Sequence, residues 1–129
     1  MIGAQRTKAL RIAGVSYLNA APLVYGLDTD PDIELILGPP AEVTRRLAEH
    51  EADVALLPVA SAATLGDLDL LDLGIATRGA VRSVVVVGER PIDSLDTIVV
   101  DASSRTSVVL ARLLLGRDRS RGPSSCRLE

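Results

Sequence analysis

Residues 10–25 read LRIAGVSYLNAAPLVY and contain an aliphatic segment, a short polar turn and the start of a helix. The run from Leu10 to Val15 predicts a strand, because aliphatic residues follow one another with little interruption. Asn19 predicts a helix N-cap, and Pro22 falls in the first helical turn, where its missing N–H costs nothing. The stretch therefore predicts a strand that leads directly into a helix.

This succession of a strand and a helix is repeated along the chain. It predicts strands at residues 33–37, 53–57, 68–76, 81–87 and 98–101, and helices at 41–49, 59–65 and from about 103 to 115. Strands that alternate with helices indicate an α/β fold with a doubly wound, mostly parallel sheet. Hydrophobic residues make up 47% of the chain and aromatic residues only 2%. An aliphatic core of this kind suits a parallel sheet that is covered on both faces.

Composition also excludes several classes of function. The net charge of -3 gives no electrostatic basis for binding nucleic acid. The single cysteine, Cys126, and the single histidine, His50, exclude an internal disulfide and a metal site built from several such ligands. The amino terminus has no apolar signal-peptide core, and no aliphatic run approaches the roughly 20 residues that span a bilayer. We expect a soluble, cytoplasmic protein without a metal or a membrane partner.

Four segments stand out in order along the chain: RI leading into SYLNAAPL (11–23), DVALLPV (53–59), GAVRSV (79–84) and DASSRTS (101–107). Together they resemble the chorismate dehydratases of the futalosine route to menaquinone. The Tyr-Leu-Asn-x-x-Pro-Leu element, which begins at Tyr17, is the most specific of them. The DVALLP run alone is weak, because many solute-binding proteins carry a similar one.

The resemblance implies a fold like that of type II periplasmic binding proteins, with substrate held between two α/β lobes. It covers about the first half of a typical family member, so we expect a chain truncated to that half. One lobe alone is expected to give little turnover and to form a homodimer through exposed apolar surface. The resemblance implies a first lobe (10–87), a hinge crossing (88–97) and the start of a second lobe (98–115). Residues 1–9 and the tail (116–129) are expected to be disordered. The sequence of the tail is either natural or non-native.

The resemblance also implies the chemistry. A chorismate dehydratase is a carbon–oxygen lyase that removes water from chorismate to give 3-[(1-carboxyvinyl)oxy]benzoate, and no cofactor is needed because the ring becomes aromatic. Chorismate is a dianion, so its site needs hydrogen-bond donors, and in parallel α/β sheets these lie at the carboxyl ends of the strands. Three turns rich in small or hydroxyl residues fit this requirement, at residues 16–21, 58–62 and 102–107.

The matching motifs nominate individual side chains. Asn19, which also suits an N-cap, and Ser83 are the expected catalytic residues. The expected substrate-binding residues all offer hydrogen-bond donors, and they are Ser16, Tyr17, Ser61, Ser104, Arg105 and Thr106. His50, Arg82 and Cys126 are interpreted as residues outside the site. No general base is evident, which leaves the enolpyruvyl carboxylate of the substrate itself or a residue outside this chain.

Two other functions stay open at this stage. One is a small-anion-binding domain without catalysis, similar to the solute-binding proteins. The other is the sister enzyme of the same pathway, 1,4-dihydroxy-6-naphthoate synthase, which shares the fold. The Tyr-Leu-Asn element at the first turn favours the dehydratase over the sister enzyme.

Overall fold

The predicted first strand lies at the centre of a parallel sheet. In the computed structural model, which describes residues 8–95, 97–101, 103–116 and 127–128, strand β1 spans Leu10–Val15. Strand β2 (Ile33–Gly38) pairs with one side of β1 and strand β3 (Val54–Ala55) with the other. Ile12 therefore stands opposite Leu35 in β2 and opposite Val54 in β3. The predicted class, a mixed α/β fold with a parallel sheet, is confirmed.

Three helices accompany this sheet. A 3₁₀ turn at Leu18–Ala20 leads into the short helix α1 (Ala21–Val24), and α3 spans Val59–Leu65. Helix α2 spans Pro40–Ala48 and begins directly after the Gly-Pro break that follows β2. Its Val43 is 1% exposed and packs into the core of the sheet. The core is built from small aliphatic residues, as the composition predicts: Ala13, Val15, Ala20, Val43 and Ala52, with Ala55, Leu56 and Leu57 packed against them.

A bidentate ion pair joins β1 to the start of β3. The Arg11 guanidinium donates to both Asp53 carboxylate oxygens, at 2.6 Å from Nη2 and 3.1 Å from Nε. The Arg11 backbone N–H donates to the same carboxylate, and the Asp53 backbone N–H donates back to the Arg11 carbonyl at 2.8 Å. These bonds lie at the amino end of β3, so this part of the DVALLP motif has a structural role.

The chain divides into two compact units, the first ending at Ile75 and the second beginning at Ala76. In the second unit, β4 (Thr97–Ile98) pairs in parallel with β5 (Arg127–Leu128), and α4 spans Arg105–Gly116. Most of the predicted disordered segments, including Cys126, lie outside the described residues. The lobe and hinge divisions inferred from the resemblance stay predictions.

Two predicted strands are wrong. Residues 68–76 and 81–87 are irregular or turn, and they join no ladder with any other described residue. Most of their aliphatic side chains are exposed, with Leu70 82% and Val87 88% accessible, and Leu68 and Val81 are half-buried. A run of Val and Leu becomes a strand only when a neighbouring strand satisfies its backbone and covers its side chains. None of the described helices is both long and apolar enough to span a bilayer.

Candidate functional site

The turn after β1 brings three of the nominated residues together. Ser16, Tyr17 and Asn19 follow the carboxyl end of the central strand and are all exposed. The Ser16 N–H donates to the carbonyl of Gly38, the last residue of β2, at 3.1 Å. Because β1, β2 and β3 are parallel, their carboxyl ends share one edge, which is where α/β sheets bind ligands. The structure thus places this turn where the sequence predicts it.

Asn19 does not cap a helix, contrary to the sequence-based prediction. The Ala20 N–H donates to the Tyr17 carbonyl at 2.9 Å, so the chain turns as a 3₁₀ helix before α1 begins. Ala20 then occupies the N-cap of α1, without a side-chain capping bond. Within the described part of the chain, the Asn19 amide makes no hydrogen bond and remains open to a ligand.

A shallow groove runs alongside this turn. Its volume is about 330 Å³, near the lower end of the roughly 300–1,000 Å³ typical of small-molecule sites. The hydroxyl-bearing Ser16 and Tyr17 supply its polar side chains, and its apolar lining is Val15, Leu18, Ala21, Val24 and Leu37. The motifs did not identify Leu37 as part of this groove. Alternation along β2 predicts which face Leu37 occupies, but not that this face lies beside the turn.

Gly14 lies next to two residues that line the same groove, Leu37 and Val24. A Cβ at this position would come within 3.0 Å of both Leu37 Cδ2 and Val24 Cγ1. At such short distances the neighbouring side chains would have to move. Glycine, which has no Cβ, therefore lets α1 and β2 approach β1 closely.

Ser61 is buried in the core rather than displayed in a cleft. Its side chain is 1% exposed and its Oγ has no hydrogen-bond partner among the described residues. Its backbone belongs to α3, where the Ser61 N–H donates to the Pro58 carbonyl at 2.8 Å. Contact with a ligand would require the packing around α3 to open.

Ser83 lies in the second unit, in a turn rather than in the predicted strand. The Val84 N–H donates to the Val81 carbonyl at 3.4 Å across this turn, and both Arg82 and Ser83 are exposed. Alternation would put Arg82 and Ser83 on opposite faces only if they were in a strand, so in this turn it does not separate the two side chains.

The remaining nominated residues begin α4. Arg105 is exposed, whereas Ser104 and Thr106 are half-buried. The Ser104 hydroxyl donates to the Ser107 hydroxyl at 2.7 Å, which joins the two across the first turn. The Ser103 hydroxyl and backbone N–H both bind Asp101, and these bonds lower the pKa of its carboxyl. An anion at this helix start therefore has donors on one side and a carboxylate close by.

A protein-family model described as menaquinone biosynthesis matches residues 10–127. The chain belongs to this family. The matched range contains all four motifs and every nominated site residue, so membership supports a role in menaquinone biosynthesis and is consistent with an enzyme. No solved structure matches the chain.

The carboxylates of this family member that have shifted pKa values are all poorly suited to act as a general base. Hydrogen bonds from the Arg45 guanidinium lower the pKa of both Glu42 and Glu51. The hydrogen bond from Arg11 holds the pKa of Asp53 well below its usual range. A general base works best with a pKa near the working pH, and a lowered pKa moves a carboxylate away from it. His50 is exposed at the end of α2, in the left-handed backbone conformation.

Proposed function

We propose that the protein is a chorismate dehydratase, which eliminates water from chorismate to give 3-[(1-carboxyvinyl)oxy]benzoate in menaquinone biosynthesis. The observation that carries the proposal is the exposed Tyr-Leu-Asn turn at the carboxyl end of β1, whose Asn19 amide makes no hydrogen bond to any described residue. Family membership over residues 10–127 supports the pathway. The dehydratase motif at this turn favours chorismate as the substrate.

Each nominated residue has a proposed part in the reaction. Asn19 orients the ring, while the Ser16 and Tyr17 hydroxyls donate to one substrate carboxylate. Ser83 and Arg105 belong to the second compact unit. The motif resemblance alone assigns Ser83 to the departing hydroxyl group and Arg105 to a substrate carboxylate.

The reaction itself breaks one C–H and one C–O bond. A ring carbon gives its proton to the base, the C–O bond on the neighbouring carbon breaks, and the base passes the proton to the departing hydroxyl, which leaves as water while the ring becomes aromatic. The four motifs offer no evident general base, so the enolpyruvyl carboxylate of the substrate is assigned as the base. The protein then contributes mainly orientation, which can supply much of the rate of such a step.

The proposal is tested by incubating the protein with chorismate, separating the product by chromatography and measuring chorismate binding by titration calorimetry. Asn19→Ala is expected to weaken turnover by roughly a hundredfold, the effect of misplacing a reacting group by about 1 Å. It is also expected to weaken chorismate binding, which can be measured even if one lobe alone gives little turnover. Leu70→Ala is the control, because Leu70 is 82% exposed and lines neither described groove. Equal chorismate affinity of the two variants would contradict the role of Asn19.

The same samples separate the alternative functions. Tight chorismate binding without any product would favour a non-catalytic anion-binding domain. Conversion of the cyclic futalosine product, with no effect on chorismate, would favour the sister enzyme. Ser104, Thr106 and Ser61 are tested as substrate contacts by alanine variants, of which Ser104→Ala and Thr106→Ala are expected to weaken binding.

A further inference from the structure

The outer side of β2 carries backbone groups that face away from the sheet. The strand order places β2 at an edge. The Leu10 N–H donates to the Asp32 carbonyl and the Ser16 N–H to the Gly38 carbonyl, so the even-numbered residues of β2 bond to β1. In a parallel ladder the intervening residues direct their N–H and C=O groups to the opposite side. The backbone groups of Leu35 and Leu37 therefore point outward.

This edge has few of the features that usually prevent strand pairing. Natural edge strands are protected by lysines, prolines, bulges or very short length. The β2 sequence IELILG runs for six residues with a regular register, and Glu34 is its one charged residue. An exposed row of donors and acceptors of this kind is satisfied by another strand.

We propose that β2 pairs antiparallel with β2 of a second copy of this chain, so that one sheet continues across a two-fold symmetric dimer. The Ile33 N–H already donates to the Asp30 carbonyl at 3.1 Å, so within the described part of the chain Leu35 and Leu37 are the β2 residues whose outward backbone groups have no partner. A two-fold axis at Ile36 sets Leu35 of each copy opposite Leu37 of the other, and each such pair exchanges both of its hydrogen bonds.

This register also suits the side chains, which is why the occupant is a second copy. Glu34 then stands opposite Gly38, so the charge meets no like charge. Leu35 and Leu37 of the two copies form cross-strand aliphatic pairs, which stabilise an antiparallel ladder. A symmetric contact of this kind needs only one self-complementary strand.

A second groove, distinct from the one at the first turn, leaves room for these side chains. It is open, has a volume of about 530 Å³ and is lined by Leu35 and Leu37 together with Ala21 and part of residues 24–29. Leu37 is 51% exposed and lines both grooves. Pairing across the two-fold axis covers this leucine in both copies.

Sedimentation equilibrium on the full chain tests the proposal. The wild-type protein is expected to show twice the chain mass of 13.6 kDa at high concentration, and Leu37→Lys is expected to remain monomeric. Val59→Lys is the matched control, because Val59 is a 71% exposed aliphatic residue on α3, outside the strand, and should still dimerise. A monomeric wild-type protein, or a dimer that Leu37→Lys leaves intact, would overturn the proposal.

Amide hydrogen exchange identifies the paired strand even if Leu37→Lys fails to fold. In the wild-type protein, protection of the Leu35 and Leu37 amides is expected to rise with protein concentration. Protection that is equal at all concentrations would mean that another segment of the same chain covers the edge. Absence of protection at every concentration would mean that the edge stays open. Either result would refute the dimer.

Discussion

Replacing Ser61 by alanine is expected to stabilise the protein, although the hydroxyl lies in its core. The side chain is 1% exposed, and its Oγ has no hydrogen-bond partner among the described residues. A buried hydroxyl without a partner has lost its bonds to water and costs about 1–3 kcal/mol. The alanine removes that cost and leaves a cavity the size of one oxygen atom, which costs a few tenths of a kcal/mol at about 24 cal/mol per Å³.

The net gain in the free energy of unfolding is expected to be about 1 kcal/mol. For a chain of this size that corresponds to a rise in Tm of about 4 °C. Alanine is also the better helix former, which adds in the same direction within α3. Urea unfolding followed by circular dichroism measures the change, with thermal melting as a second reading.

Thr44→Val is the matched control. Thr44 is also buried, at 6% exposed, but its Oγ1 donates to the Pro40 carbonyl at 2.7 Å. Removing a hydroxyl that has its partner should lower stability by about 0.5–1.5 kcal/mol. The two variants are thus expected to change stability in opposite directions. A loss of stability in Ser61→Ala as large as that in Thr44→Val would refute the reasoning, because Oγ would then have a partner in solution.

Two further predictions concern β1. Asp53→Asn should lower the urea midpoint at neutral pH and change it little in acid. Arg11 lowers the pKa of Asp53 in the folded state below its unfolded-state pKa of about 3.9. The stability that the pair contributes is therefore fully present above about pH 3.9 and is lost as the pH falls through the lower folded-state pKa. An equal effect of the substitution at both pH values would argue against the ion pair. Gly14→Ala should destabilise the protein by about 1 kcal/mol, because its Cβ would crowd Leu37 and Val24 at 3.0 Å; unchanged urea unfolding would show that these side chains move aside freely.

The elements that the sequence predicted well have local signals at their ends. β1 begins and ends at the predicted residues, and α3 follows Pro58 as expected. α2 begins after Gly38-Pro39, and Val43 is buried as its helical spacing predicts. A proline or glycine marks the start of α2 and of α3, and in α2 the aliphatic spacing identifies the buried face.

The errors arise where structure depends on distant residues. Residues 68–76 and 81–87 have the composition of strands, but a strand also needs a partner, and sequence spacing does not supply one. Asn19 has the chemistry of an N-cap, yet the 3₁₀ turn moves the cap to Ala20. The burial of Ser61 likewise depends on how α3 packs, which its local sequence does not specify.

The turn itself was predictable from its motif, whereas the groove beside it was not. Ser16, Tyr17 and Asn19 come from consecutive sequence, so one motif identifies them together. The groove needs Val24 from α1 and Leu37 from β2, which only the folded chain brings alongside the turn.

The central claim is that chorismate binds at the turn after β1. It is tested most directly by adding chorismate to ¹⁵N-labelled protein and following the amide resonances of residues 16–19 together with the side-chain NH₂ of Asn19. These signals are expected to shift with chorismate concentration and to reach saturation, and Asn19→Ala should lose the response. The account would be contradicted if the resonances of this turn did not shift, whether because chorismate does not bind or because it binds at another surface.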